Sequence, residues 1–132
     1  NFKERVIHVH CKDMRKHILD RSLKEDLSFR QAFLEGAFTV PGDGCINYEP
    51  LLKFLKENHY NGWLVVEAEQ DPAKANPLKY AKIGYNYLFN VCKNINLEIF
   101  ENHHICLHQM NVDIYPCPFL RNLRTLGPYR FS

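Results

Sequence analysis

Residues 6–15 read VIHVHCKDMR, two histidines and a lysine spaced two apart through an apolar run. Side chains of a β-strand alternate between its faces, so a strand here carries Val6, His8, His10 and Lys12 on one side and Ile7, Val9 and Cys11 on the other. One face is oily; the other bears two imidazoles and an ammonium. A parallel strand held between a helix layer and an active-site mouth requires that division. Residues 63–69, WLVVEAE, repeat the design, with Leu64, Val66 and Ala68 opposite Val65, Glu67 and Glu69. Histidines near the end of one strand and carboxylates at the end of another suggest a shared site.

Working outward, residues 14–26 are rich in charge, with Ile18, Leu19 and Leu23 at helix-compatible spacing, and read as an irregular or helical loop. Ser28 and Gln31 form a capping-box pattern that opens a short helix, and Gly36 stops it. FTVPGDGCIN at 38–47 is a tight turn, since two glycines flank Asp43 after Pro41. Asn47 reads as the N-cap of a helix over 48–58, with Leu51, Leu52, Phe54 and Leu55 as its buried stripe. After the second strand, Asn76-Pro77 is an N-cap followed by a first helical residue. Leu78, Ala81, Tyr85, Leu88 and Cys92 then recur at helical intervals.

Strand, loop, helix, strand, helix is a βαβ unit followed by a helix, which places the chain in the α/β class. Residues 1–93 form this unit. Residues 94–132 show no sustained period, carry three prolines, and read as an irregular tail of unknown structure.

A chain of 132 residues with 45% hydrophobic and 13% aromatic residues is expected to fold around one modest core. Its 17 basic and 15 acidic residues are interspersed, which gives no reason to expect nucleic acid or acidic lipid as a partner. No apolar run reaches the roughly 20 residues needed to cross a bilayer, so no membrane association is expected and the cytoplasm is the default compartment. Five cysteines without a C-x-x-C pair argue for reduced thiols rather than a disulfide framework. The first residue is Asn rather than Met, which suggests a piece of something longer.

His8 and His10 suit either a divalent metal or acid–base work, or a hydrogen-bonded polar strand end. Glu67 and Glu69 divide similarly between a bound cation and simple exposure. The PGDG turn could cradle a phosphate with its backbone amides, but it lacks the spacing of a phosphate-binding loop, which favours a structural turn. His103, His104, Cys106, His108 and Cys117 are zinc-ligand types, but their spacing matches no finger pattern.

HVHCKD, TVPGDG and GWLVVEAEQDPAKA together resemble the carboxyl-terminal part of the myo-inosose-2 dehydratases, members of the xylose isomerase-like TIM-barrel superfamily. The resemblance covers about residues 5–88. It implies that the two strands are the seventh and eighth of a (β/α)8 barrel, so this chain is an incomplete fragment of a fold of roughly 250 residues. It further implies a metal-assisted lyase that removes water from 2-keto-myo-inositol, a polyol ketone, in inositol catabolism. His10 and Glu67 become metal ligands, with Glu67 also a candidate base. Lys12 or His8 would help hydroxide leave, and Arg15 and Glu69 would bind substrate. Manganese or cobalt, and glutathione, are the cofactors the resemblance carries.

Two other readings stand beside it. An isomerase or epimerase of the same superfamily would move a proton instead of expelling water. A non-catalytic barrel remnant would leave open strand edges that invite a homo-oligomer.

Overall fold

The computed structural model describes residues 3–97 and the backbone of 104–108. A 3-10 turn at Lys3–Arg5 leads into β1 (His8–Cys11), β2 (Asp13–Met14), α1 (Lys16–Lys24), α2 (Phe29–Leu34) and β3 (Phe38–Thr39). There follow α3 (Glu49–Glu57), β4 (Trp63–Glu67), α4 (Pro77–Asn94) and β5 (His104–His108). The expected unit is present: β1 and β4 pair in parallel, with His8 opposite Trp63 and Cys11 opposite Val66, and α3 lies on the connection between them.

Burial follows the alternation read from sequence in part: Ile7, assigned to the apolar face, precedes β1 and is 78% exposed, and Val65, assigned to the polar face, is buried against Trp63. On β1, His8 and His10 are exposed while Cys11 is fully buried; on β4, Leu64 and Val66 enter the main core. That core joins Leu64 and Val66 to Val40, to Leu52 and Leu55 of α3, and to Leu88 and Cys92 of α4. Each fully buried leucine among them is worth about 2 kcal/mol of transfer free energy. Helix α4 can sit this close because it crosses the sheet at Gly84, where a Cβ would come within 2.5 Å of Val66 Cγ1.

The local stop signals also hold. Ser28 and Gln31 form a reciprocal capping box, and Gly36 ends α2 at a φ of +83°. Asn76 caps α4 by accepting from the Lys79 N–H, with Pro77 as the first helical residue.

Of the irregular or helical reading of residues 14–26, the helical form holds over Lys16–Lys24. Other features differ from the sequence reading. The cap of α3 is Tyr48 rather than Asn47, although the Asn47 side chain still accepts from the Glu49 N–H at 3.0 Å. Leu51 and Phe54 remain exposed, because the face of α3 that meets the core is centred on Leu52 and Leu55. The tail supplies a strand: β5 pairs in parallel with β4 along all five residues, giving a sheet in the order β1-β4-β5. A five-residue segment is too short to show a period of its own, and the edge offered by β4 determines its pairing.

A second, two-residue ladder sets Asp13 opposite Thr39 and Met14 opposite Phe38, running antiparallel. It ties the end of β1 to the TVPGDG segment. Among the described residues no helix is long and apolar enough to cross a membrane.

Candidate active site

Parallel pairing brings the carboxyl ends of β1 and β4 side by side, and every side chain on their polar face gains a neighbour there. His10 Nδ1 lies 2.8 Å from Glu67 Oε2. Lys12 Nζ sits between two carboxylates, 3.1 Å from Glu67 Oε1 and 3.0 Å from Glu69 Oε1, and 5.5 Å from the centre of the Phe38 ring. His8 stacks at a tilt on His10, with ring centres 5.3 Å apart. Five of the six sequence-predicted residues therefore form one cluster: His8, His10, Lys12, Glu67 and Glu69.

The cluster adjusts its own protonation. Burial alone would raise the Glu67 carboxyl, but hydrogen bonds from His10 and Lys12, with their charges, outweigh it and hold the group below the usual carboxylate range. Burial likewise works to lower Lys12, and its hydrogen bonds and attraction to Glu69 and Glu67 overcome that, leaving the ammonium raised. The His8 imidazole is pushed down, first by burial and then by His10. At neutral pH the site thus holds an ionised Glu67, a protonated Lys12 and a largely neutral His8.

Arg15 stands apart from this cluster. Its guanidinium donates to Gly36 O at 2.6 Å, to Thr39 Oγ1 at 3.2 Å, to Asp43 Oδ2 at 2.7 Å and to Tyr80 Oη at 3.3 Å. Thr39 also donates to Asp43 and accepts from Gln70 Nε2, so one polar network joins the PGDG turn to the segment after β4. A cavity of about 410 Å³ lies behind Arg15, lined by Phe33, Gln70, Asp71, Lys74 and Tyr80 among others, and no member of the cluster borders it.

Sequence reasoning passed over two supports. Asp13 is fully buried, and its Oδ1 accepts from the backbone N–H groups of Met14, Cys45 and Ile46 at 2.7, 2.9 and 3.0 Å. Tyr48 donates its hydroxyl proton to the Lys12 carbonyl at 2.6 Å, which fixes the backbone carrying that lysine. The signal for the first was an aspartate beside a strand end and ahead of a glycine turn with unpaired amides. No comparable pattern marks Tyr48.

The sequence profile of the xylose isomerase-like TIM barrel matches residues 1–90. The chain belongs to that family. Within it, the chain is 53% identical over 87 residues to the inosose dehydratase of Clostridium beijerinckii, covering 66% of this chain and 29% of that protein. It is 54% identical over 85 residues to the inosose dehydratase of Bacillus velezensis, covering 64% of this chain and 28% of that one. The rhizopine catabolism protein MocC of Rhizobium meliloti is 54% identical over 85 residues, covering 64% and 26%. The chain thus spans less than a third of the length of these curated relatives.

Family membership accounts for the parallel pair β1–β4, which lies within the matched residues. In a xylose isomerase-like barrel, parallel strands deliver reactive side chains at their carboxyl ends, where this cluster stands. Imidazole and carboxylate are suitable donors for manganese or cobalt, and His10 with Glu67 supplies one of each. Among the described residues, no three of His, Cys, Asp and Glu come together as a ligand set. The tail histidines and cysteines fall outside that statement: His103 and Cys117 lie beyond the described residues, and the register of His104, Cys106 and His108 is known from backbone alone.

Proposed function

We propose that the protein is a carbon–oxygen lyase of the inosose dehydratase type, removing water from 2-keto-myo-inositol, with β1 and β4 as the seventh and eighth strands of its barrel. The observation that carries this reading is the His10–Glu67–Lys12–Glu69 cluster at the ends of two adjacent parallel strands. The names of the relatives supply the substrate class.

The reaction breaks a C–H bond beside the ketone, expels the hydroxyl from the next carbon, and leaves an enol that rearranges to a second ketone. His10 and Glu67 would hold a divalent cation, manganese or cobalt, which when bound supplies polarisation of the ketone oxygen. Glu67, held ionised, is the candidate to take the proton. Lys12, held protonated between Glu67 and Glu69, stabilises negative charge as it develops and delivers a proton to the departing hydroxyl. His8, neutral near pH 7, is better suited to accept a proton than to donate one. Glu69 orients Lys12 and offers an acceptor to a substrate hydroxyl. Arg15 contributes by holding the 36–43 loop in place. No step in this scheme uses glutathione.

Outside the site, β1 has no second strand partner among the described residues, and Ile7 beside it is 78% exposed. That edge is where further barrel strands, or a second copy of the chain, would add.

The test is turnover of 2-keto-myo-inositol with added manganese, followed by the ultraviolet absorbance of the dione. His10→Ala and Glu67→Ala should each lower the rate at least about 100-fold. Turnover indifferent to both substitutions, or none at all, would defeat the proposal; turnover of a ketose instead would favour an epimerase.

A further inference from the structure

A carbocyclic polyol is amphipathic: its hydroxyls ring the equator, and where all of them are equatorial both faces of the chair carry only axial C–H bonds. A site for such a ring needs polar groups for the rim and an apolar surface for one face. The His10–Glu67–Lys12–Glu69 cluster supplies the first. Phe38 supplies the second: its ring centre lies 5.5 Å from Lys12 Nζ, and the ring of Phe29 tilts against it with centres 5.3 Å apart. Phe38 is partly buried and Phe29 is 69% exposed, so one aromatic surface runs from the lysine out to solvent. Both backbones are held. Phe38 pairs with Met14 in the β2–β3 ladder and precedes the buried Thr39, while Phe29 opens α2 directly behind the Ser28 capping box. An aromatic face is electron-rich and attracts polarised C–H bonds as it attracts the Lys12 ammonium; a hydroxyl laid against it is left without a hydrogen-bond partner.

Resting on the reading of this cluster as the site of an inosose-type lyase, we propose that Phe38 and Phe29 form the apolar wall of that site and select its substrate by ring face. A cyclic polyol ketone with no axial hydroxyl lies against them while Lys12 and Glu69 bond its rim. 2-Keto-myo-inositol has every hydroxyl equatorial and meets the condition on either face. A ring with an axial hydroxyl on each face meets it on neither. The aromatic pair thereby sets which stereoisomer enters, and the polar cluster sets what is done to it.

The test measures binding to the full chain by calorimetry, in the presence of manganese, with two unreactive probes. These are scyllo-inositol, whose hydroxyls are all equatorial, and chiro-inositol, which sets an axial hydroxyl on each face. We expect scyllo-inositol to bind about 10-fold tighter. Phe38→Leu should weaken it about 10-fold and erase the preference, and Phe29→Ala should act in the same direction by roughly 3-fold. In turnover of 2-keto-myo-inositol, Phe38→Leu should raise KM about 10-fold with kcat nearly unchanged. No binding of scyllo-inositol, or a preference that survives both substitutions, would overturn the proposal. So would a fall in kcat with scyllo-inositol affinity intact, because Phe38 would then act only through Lys12. Phe29 is exposed, so Phe29→Ala decides the matter should Phe38→Leu not fold. Equal binding of the two probes, beside turnover that needs His10 and Glu67, would overturn this proposal and leave the lyase reading standing. A preference lost in Phe38→Leu, with no turnover of the ketone by the unaltered chain, would keep the wall and defeat the lyase reading.

Discussion

His10 Nδ1 lies 2.8 Å from Glu67 Oε2, although 57 positions separate the two residues along the chain. Parallel pairing of β1 with β4 makes that contact, and Lys12 closes it from the other carboxylate oxygen. Glu67→Gln keeps the shape and removes the charge. Lys12, raised now because Glu69 and Glu67 overcome the opposing effect of burial, should then titrate lower. Its 13Cε shift followed against pH reads this directly. An unmoved titration would separate Glu67 from Lys12 electrically.

Lys12→Ala leaves Glu67 and Glu69 facing each other without their shared cation. We expect kcat to fall about 100-fold or more, as for loss of a general acid, with cobalt affinity changed far less than in His10→Ala. Parallel losses of turnover and metal binding would make Lys12 a support of the metal site instead.

Asp13 satisfies three backbone N–H groups while fully buried, so Asp13→Ala orphans donors at the end of β1 and in the glycine turn together. The expected cost is about 3 kcal/mol of stability, read as a lower urea midpoint. Asp13→Asn retains an acceptor and should cost less. Equal stability of the alanine variant would show that these amides find other partners.

Gly42 has a φ of +87°, and a Cβ there would stand 2.7 Å from Tyr87 Cγ. Gly42→Ala combines left-handed strain with a clash against an aromatic ring. A loss of roughly 2 kcal/mol by denaturant titration is expected. A neutral result would mean that Tyr87 moves aside freely.

Of the three cysteines in the described residues, Cys45 is exposed while Cys11 and Cys92 are buried. Iodoacetamide should label Cys45 first, read by peptide mass spectrometry. Burial pushes the Cys11 thiol from 9.0 up to about 12, aided by Cys92, and pushes Cys92 up to about 11. Between pH 9 and those values the unfolded chain gives up these protons and the folded chain keeps them, so stability is full below the lower limit and declines as pH rises through the window. Urea midpoints that stay flat from pH 8 to about 11 would contradict this.

The polar face of β1, the capping box at Ser28, the stop at Gly36 and the opening of α4 at Asn76-Pro77 were all legible in the sequence. So was the grouping of His10, Lys12, Glu67 and Glu69 on one side. These features depend on backbone alternation, helical period, and residues whose own chemistry starts or ends an element. Such information is local, and any chain with these residues in this order displays it.

Only the tertiary structure decided the rest. Arg15, read as a substrate contact, spends its guanidinium on Gly36, Thr39, Asp43 and Tyr80, because the β2–β3 ladder folds the glycine turn over it. Leu51 and Phe54 belong to the apolar stripe of α3 by period yet stay exposed, since burial depends on which neighbours the helix meets. β5 shows no period and becomes a strand where β4 presents an unpaired edge. Residue spacing declares what a strand can show on each face; which strand it pairs with is settled by the edges left open when distant parts of the chain meet.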